Sequence, residues 1–190
     1  IIRPSVEIVD EFTQKDLTSI ARQRGGVYTL TGLSLADLKS ERDRADKPSY
    51  WYNYLKGKPA NNQPGLAGQV AIFPEDPMLQ GAYYKTLSEQ LRLVKGHAKD
   101  LDLVYAQAIV GTVSTLAGAL FAHVDDREEY LLPDVWATST TVVIGPYVAD
   151  VGSSDPRRGF YVNHWHQDER YDHLGVLRLV VPIRKQVLGS

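Results

Sequence analysis

The chain has 190 residues, of which 43% are hydrophobic and 23% are charged, a composition typical of a globular protein that is long enough to bury a core. Its 21 basic and 23 acidic side chains leave a formal net charge of -2, so no overall basic field attracts phosphates and we expect no nucleic-acid partner. The absence of cysteine excludes disulfides, thiolate metal sites and thiol nucleophiles.

Residues 1–65 are expected to form a partly helical N-terminal extension. Turn-forming residues mark the end of this extension near Pro64. Hydrophobic spacing, a Gly-Gly pair and a capping serine define its elements. These elements are a helix over residues 10–24, a strand over 27–30, a helix from Ser34 to about Arg44, and an aromatic, turn-rich packed loop over 49–68.

Residues 66–190 are expected to form a second domain in which strands and helices first alternate and strands then follow one another. The pattern predicts strands over 69–73 and 104–110, helices over 86–95 and 112–124, and strands over 136–144, 147–151, 160–166 and 174–183. Gly96 is expected to end the first of these helices. The order predicts an α+β domain whose last strands form one antiparallel sheet. The nearly apolar stretch 174–181 is typical of a central strand with both faces covered.

The segment that precedes this apolar stretch is unusually rich in aromatic and polar side chains. It reads FYVNHWHQDERYDH over residues 160–173 and holds three of the five histidines. Such side chains combine large apolar area with hydrogen-bonding tips, a mixture enriched in binding surfaces. The candidate ligand-binding residues are Tyr161, Asn163, His164, Trp165, His166, Asp168, Arg170, Tyr171, Asp172 and His173.

An alternative function for the same segment is that of a metal-dependent enzyme with a His164-x-His166-x-Asp168 site, because two histidines spaced by two residues share one face of a strand. A bare His-x-His pair is a weak signal, however, and no separate general base accompanies it. Phosphate-loop, dinucleotide, HExxH and GxSxG motifs are missing from the sequence. We therefore expect no catalytic residue, metal ion or cofactor. A solvated hairpin, or a structural module in which aromatic residues of 50–54 and 160–171 bury each other, stays open.

The region over residues 69–185 resembles the C-type-lectin-like domains that include relatives of the formylglycine-generating enzyme and the variable proteins of diversity-generating retroelements. Three features carry the resemblance: two helices framed by strands, the block VWATSTT, and a polar-aromatic stretch that closes on LGVLRLVVP. The resemblance implies a C-type-lectin-like fold for residues 66–190. The lack of cysteine argues against formylglycine-generating activity.

In the retroelement family, adenine-directed mutagenesis rewrites codons near the C-terminus, and the resemblance implies which residues would vary here. The implied variable contacts are Tyr161, Asn163, His164, His166, Asp168, Tyr171, Asp172 and His173, while Trp165 either joins them or packs beneath. The implied constant residues are Trp136, Leu174, Gly175, Val176, Arg178, Leu179 and Val180. The stable scaffold would let these contacts change specificity without disturbing the core.

The sequence thus predicts a hypervariable binding protein whose partner is a protein or cell-surface ligand. Virion or cell-surface display would fit this function, although the opening residues lack the basic-then-apolar pattern of a secretory signal. No apolar run reaches the roughly 20 residues that a membrane helix needs, so we expect no membrane insertion.

Overall fold

A computed structural model describes residues 6–185 of the chain. Its helices are α1 (Gln14–Arg22), α2 (Leu35–Arg44), α3 (Leu87–Asp100) and α4 (Val113–Arg127), with a short 3-10 helix at Pro59–Asn62. Its strands are β1 (Val6–Ile8), β2 (Gly26–Thr31), β3 (Ser49–Asn53), β4 (Ala67–Ile72), β5 (Ala106–Ala108), β6 (Trp136–Ile144), β7 (Tyr147–Asp155), β8 (Gly159–His166), β9 (Leu174–Gly175) and β10 (Leu179–Lys185). The structure confirms the mixed α+β class.

Each of the four helices begins where a threonine or serine side chain accepts a hydrogen bond from the backbone of the first turn. Ser34 forms a full capping box with Asp37, which confirms the predicted start of α2. The helix predicted over 10–24 is shorter in the structure, because Thr13 caps α1 and residues 10–12 lie before it.

The strands form two five-stranded sheets. The first has the order β1-β10-β4-β2, with β5 also paired to β10, and all its pairs are antiparallel. The second has the order β3-β8-β7-β6-β9, in which the β3–β8 and β6–β9 pairs are parallel. The prediction of one antiparallel sheet for the last strands is therefore wrong, since β10 lies in the first sheet and two pairs of the second are parallel.

Helix α4 packs between the sheets, against β2 of the first and β6 and β7 of the second. This position explains why residues 113–122 of α4 are all apolar or small. Leu179 and Val181 of β10 pack in the core that contains α4, whereas Val180 packs in a separate core with α1 and α3. Strand β10 is thus covered on both faces, as predicted for the apolar stretch 174–181. The prediction of one continuous strand over 174–183 is wrong, however, because Leu174–Gly175 forms β9 in the second sheet and β10 begins only at Leu179.

Two other predictions require correction. The stretch 49–68 is not a loop throughout, because Ser49–Asn53 forms strand β3 against β8. Helix α3 passes through Gly96 and ends only at Asp100, since Val94, His97 and Leu101 continue its buried side.

Both sheets cross the boundary predicted near Pro64. Strand β2 pairs with β4 in the first sheet, and β3 pairs with β8 in the second. Residues on either side of Pro64 therefore contribute to the same two sheets. Among the helices in residues 6–185, none combines the length and apolar character needed to cross a bilayer.

Candidate ligand-binding face

Strand β8 divides the predicted binding residues between two faces of the second sheet. Phe160 and Val162 point into the core beside α4. Tyr161, Asn163 and Trp165 alternate with them and lie on the opposite face, which we call the outer face. Because β3 and β7 flank β8 on both sides, this part of the segment is held by hydrogen bonds along both edges.

Aromatic residues gather around Tyr161 on the outer face. The Tyr52 ring stacks on Tyr161 with centroids 4.5 Å apart, and Trp51 and Trp136 meet it edge-on at 4.4 and 5.1 Å. The Trp51 Nε1 donates a hydrogen bond to the Ser153 carbonyl oxygen, 3.2 Å away, which fixes the indole. Trp51 and Tyr52 remain 42% exposed, so the cluster is stacked yet open to solvent.

Sequence analysis did not assign Trp51 or Tyr52 to the site, because their segment was interpreted as a packed loop. The signal was present in the run SYWYN, whose aromatic side chains favour a strand. Only the alternative of a structural module brought residues 50–54 together with 160–171, and the structure pairs β3 with β8, more than a hundred residues further along the chain.

His164 and His166 lie on the core-side face of β8, beyond the end of the core. The His164 ring stacks on Tyr54 at 3.9 Å, and Tyr147 meets both imidazoles at 5.3 Å. Burial, and secondarily the ammonium of Lys58, lowers the pKa of His164. This arrangement favours the neutral imidazole.

Trp165 lies beneath the outer face and is only 4% exposed. It packs in a small cluster with Val148 and Leu174, and its Nε1 donates a hydrogen bond to Thr138 Oγ1 at 3.1 Å. Of the two placements that the sequence leaves open for Trp165, the structure therefore has the buried one.

The remaining predicted residues belong to the turn over 167–173, which leads from β8 to β9. Asp168, Arg170, Asp172 and His173 are exposed and Tyr171 is half-buried. Arg170 forms an ion pair with Glu89 near the start of α3, with Nη2 and Oε1 2.8 Å apart. The Tyr171 hydroxyl donates to Glu169, and His173 Nδ1 lies 2.9 Å from an Asp172 carboxylate oxygen. The turn thus places several charges at the rim of the outer face.

A pocket of about 230 Å³ opens between the turn and the outer face. It is lined by Trp136, Asp150, Asn163, His164, Trp165, Tyr171, His173 and Leu174. Seven of these eight residues were among the predicted contacts or the implied constant residues, but Asp150 was not. The pocket therefore joins the predicted segment to a carboxyl group on β7.

Asp150 is the most buried polar side chain of this pocket, at 5% exposure. Its Oδ1 has no hydrogen-bond partner among the residues that the structure describes. Burial raises the pKa of the Asp150 carboxyl from its ordinary 3.8 to about 7, against the opposing effect of a hydrogen bond from the Asn163 backbone. Near neutral pH this carboxyl therefore exists in both protonation states.

The alternative of a metal-dependent enzyme needs three convergent ligands. Over residues 6–185, no group of three His, Asp or Glu side chains is placed to hold a metal ion. His164 stacks on Tyr54, and His166 Nδ1 accepts a hydrogen bond from the backbone of Asp168 at 3.3 Å. The geometry of His164, His166 and Asp168 thus gives this alternative no support.

Comparisons with known protein families, with curated protein sequences and with solved structures find no match to this chain.

Proposed function

We propose that the protein is a hypervariable ligand-binding protein with a C-type-lectin-like fold, diversified by a retroelement, which binds a protein or cell-surface ligand through the outer face and the adjoining turn. The observation that carries this proposal is the division of side chains along β8. Phe160 and Val162 fill the core, whereas Tyr161 and Asn163 point away from it. Side chains on the outer face can therefore change without removing core contacts.

The chemistry of the outer face supports binding. The stacked rings of Trp51, Tyr52 and Tyr161 offer apolar area that is already ordered, so a ligand would lose little conformational freedom on their side of the interface. The exposed charges of the turn over 167–173 lie beside them and would select among ligands. A purely structural module would have the same stacking, but it would not need Trp51 and Tyr52 to stay 42% exposed.

Sequencing the gene from many isolates tests the diversification. Substitutions are expected at Tyr161, Asn163 and the turn over 167–173, and they should fall at adenines of a neighbouring near-copy beside a reverse-transcriptase gene. Phe160 and Val162 should stay constant because they fill the core, and Trp165 should too because it is buried under the face. Substitutions spread evenly over β7 and β8, or the absence of both the near-copy and the reverse transcriptase, would contradict retroelement diversification.

Cell staining with the fluorescently labelled protein tests binding. The double variant Tyr52→Ala/Tyr161→Ala is expected to stain a panel of bacterial and eukaryotic cells at least about tenfold less than the wild type, because central aromatic residues dominate interface energies. The matched control is Tyr105→Ala, which removes an equally exposed tyrosine outside the outer face. Equal staining by the double variant and the control, with both melting as folded proteins, would reject this face as the binding surface.

A further inference from the structure

Asp150 places a carboxyl group without a cationic partner at an aromatic-lined pocket on the outer face. We propose that this pocket binds an alkylammonium group, carried either by a free amine or by a lysine side chain of a partner protein. The inference rests on the proposed function, since it names the chemical group that the same face would hold.

The carboxyl group of Asp150 is almost fully buried. A buried carboxylate is costly unless a positive charge or several hydrogen bonds compensate it. The groups that affect the pKa of Asp150 are its own burial and the Asn163 backbone, and no basic side chain within residues 6–185 is among them. The nearby Arg170 is already paired with Glu89. A ligand ammonium would supply the missing charge.

The pocket beside Asp150 has aromatic walls. Trp136, Trp165 and Tyr171 surround the space beside Asp150, and aromatic faces attract organic cations, Trp most strongly. The Asn163 side chain lines the same pocket and offers a carbonyl oxygen that can accept an ammonium hydrogen. This combination of a carboxylate with aromatic walls fits an ammonium better than it fits an anion or a purely apolar group.

The pocket is small. The pocket holds about 230 Å³, whereas sites for whole drug-sized molecules usually hold roughly 300–1,000 Å³. This volume would hold several water molecules, so it can also hold an ammonium group with a short carbon chain. The pocket therefore fits one side chain or a small amine, with the rest of a larger ligand lying over Trp51 and Tyr52.

Two carboxylates lie at the mouth of the pocket. Tyr171 and His173 line the pocket, and they contact the carboxylates of Glu169 and Asp172 respectively. The Asp172 side chain is 91% exposed, and its contact with His173 lowers the pKa of its carboxyl. Negative charge at the mouth favours the approach of a cation.

The test titrates the protein at pH 8 with butylammonium, with Nα-acetyl-lysine amide and with neutral 1-butanol, and follows the three tryptophan indole N–H signals by NMR. Both amines should shift the signals of Trp136 and Trp165 saturably. For butylammonium, which the pocket holds whole, Trp51, bonded to the Ser153 carbonyl, serves as an internal reference. Butanol should cause no saturable shift. Tighter binding of the lysine amide would identify a protein side chain as the source of the ammonium, and tighter binding of butylammonium would identify a free amine.

Asp150→Asn should weaken amine binding at least about tenfold, because it removes the charge while keeping the shape. Asp134→Asn is the matched control, since it removes an exposed carboxylate next to β6. Unchanged binding by Asp150→Asn, or no saturation of the wild type by either amine up to about 100 mM, overturns the inference. If that happens while Tyr52→Ala/Tyr161→Ala still loses cell staining, the ammonium pocket fails and the proposed function stands.

A pH series on the wild type gives an independent measurement that needs no variant. Protons compete with the ammonium for Asp150, so the dissociation constant should rise about tenfold for each pH unit below the pKa of the carboxyl. The other titratable groups that line the pocket are His164, His173 and Tyr171, and Tyr161 interacts electrostatically with Asp150 from outside it. Burial lowers the pKa of His164 and raises the pKa of Tyr161, so it favours the neutral form of both side chains. Affinity that is constant from pH 8 to pH 5 would refute the role of Asp150.

Discussion

Gly159→Ala is expected to lower the free energy of unfolding by more than about 3 kcal/mol, because the new methyl group meets a backbone that has no room to move. Gly159 has a φ of +94°, a conformation that alanine rarely adopts, and an added Cβ would collide with the carbonyl group of Ser49. Ser49 and Gly159 are register partners in the parallel β3–β8 pair. Relieving the collision would separate the strands that hold Tyr52 on Tyr161. Urea denaturation measures the loss of stability, and near-ultraviolet circular dichroism reports the loss of the aromatic stack.

Gly57→Ala is the matched control for this substitution. Gly57 has a φ of +79°, but nothing lies within 4 Å of its added Cβ. Gly57→Ala should therefore lower the free energy of unfolding only by the cost of the backbone strain, about 1 kcal/mol. Equal losses in the two variants would mean that the close approach of β3 to β8 at Gly159 does not restrict the chain.

The parts of the fold that sequence predicts well are those that local signals determine. Ser34 and the charged residues after it specify a helix through a capping box. The β-rich run 136–144 is a strand with the bounds that its composition predicts. In both cases the chemistry that fixes the element lies within a few residues of it.

The parts that sequence does not predict depend on distant partners. Strand β3 forms because Tyr50 and Tyr52 lie beside Phe160 and Tyr161 of β8, and nothing within residues 49–53 reveals that neighbour. Helix α3 continues past Gly96 because burial on its inner side outweighs a glycine cost of about 1 kcal/mol. Tertiary packing decides both cases.

Only part of the candidate site was predicted, because the site also depends on residues that are distant in the sequence. Composition identified the segment 160–173, and the structure brings much of it to one face of a sheet. Asp150 was missed because in the sequence YVADV it is one polar residue of an ordinary strand. It becomes buried only when Trp165 and the turn with Tyr171 pack over it, and that arrangement is set by the three-dimensional fold.

Asp150→Asn is expected to stabilise the free protein above neutral pH, by up to about 4 kcal/mol, the free-energy equivalent of the shift of this buried carboxyl from 3.8 to about 7. The folded protein holds the proton of Asp150 more tightly than the unfolded chain does. The wild type is therefore most stable below pH 4 as far as this group is concerned, and it loses that stability as the pH rises through 7. Asparagine carries no charge, so the stability of the variant should not fall as the pH rises through this range.

Urea denaturation of the wild type and Asp150→Asn from pH 4 to pH 8 measures the effect. The two free energies of unfolding should agree near pH 4 and diverge as the pH rises, while Asp134→Asn, whose carboxyl is exposed, should follow the wild type throughout. Parallel curves for the wild type and Asp150→Asn would show that the buried carboxyl finds a compensating partner within the chain. Butylammonium should narrow the difference at pH 8, because a ligand that binds only the folded wild type stabilises it by mass action. If butylammonium restores the stability that the charged carboxylate costs the free protein, Asp150 behaves as a group that recognises a cation. A residue that served only the fold would have no reason to carry a charge.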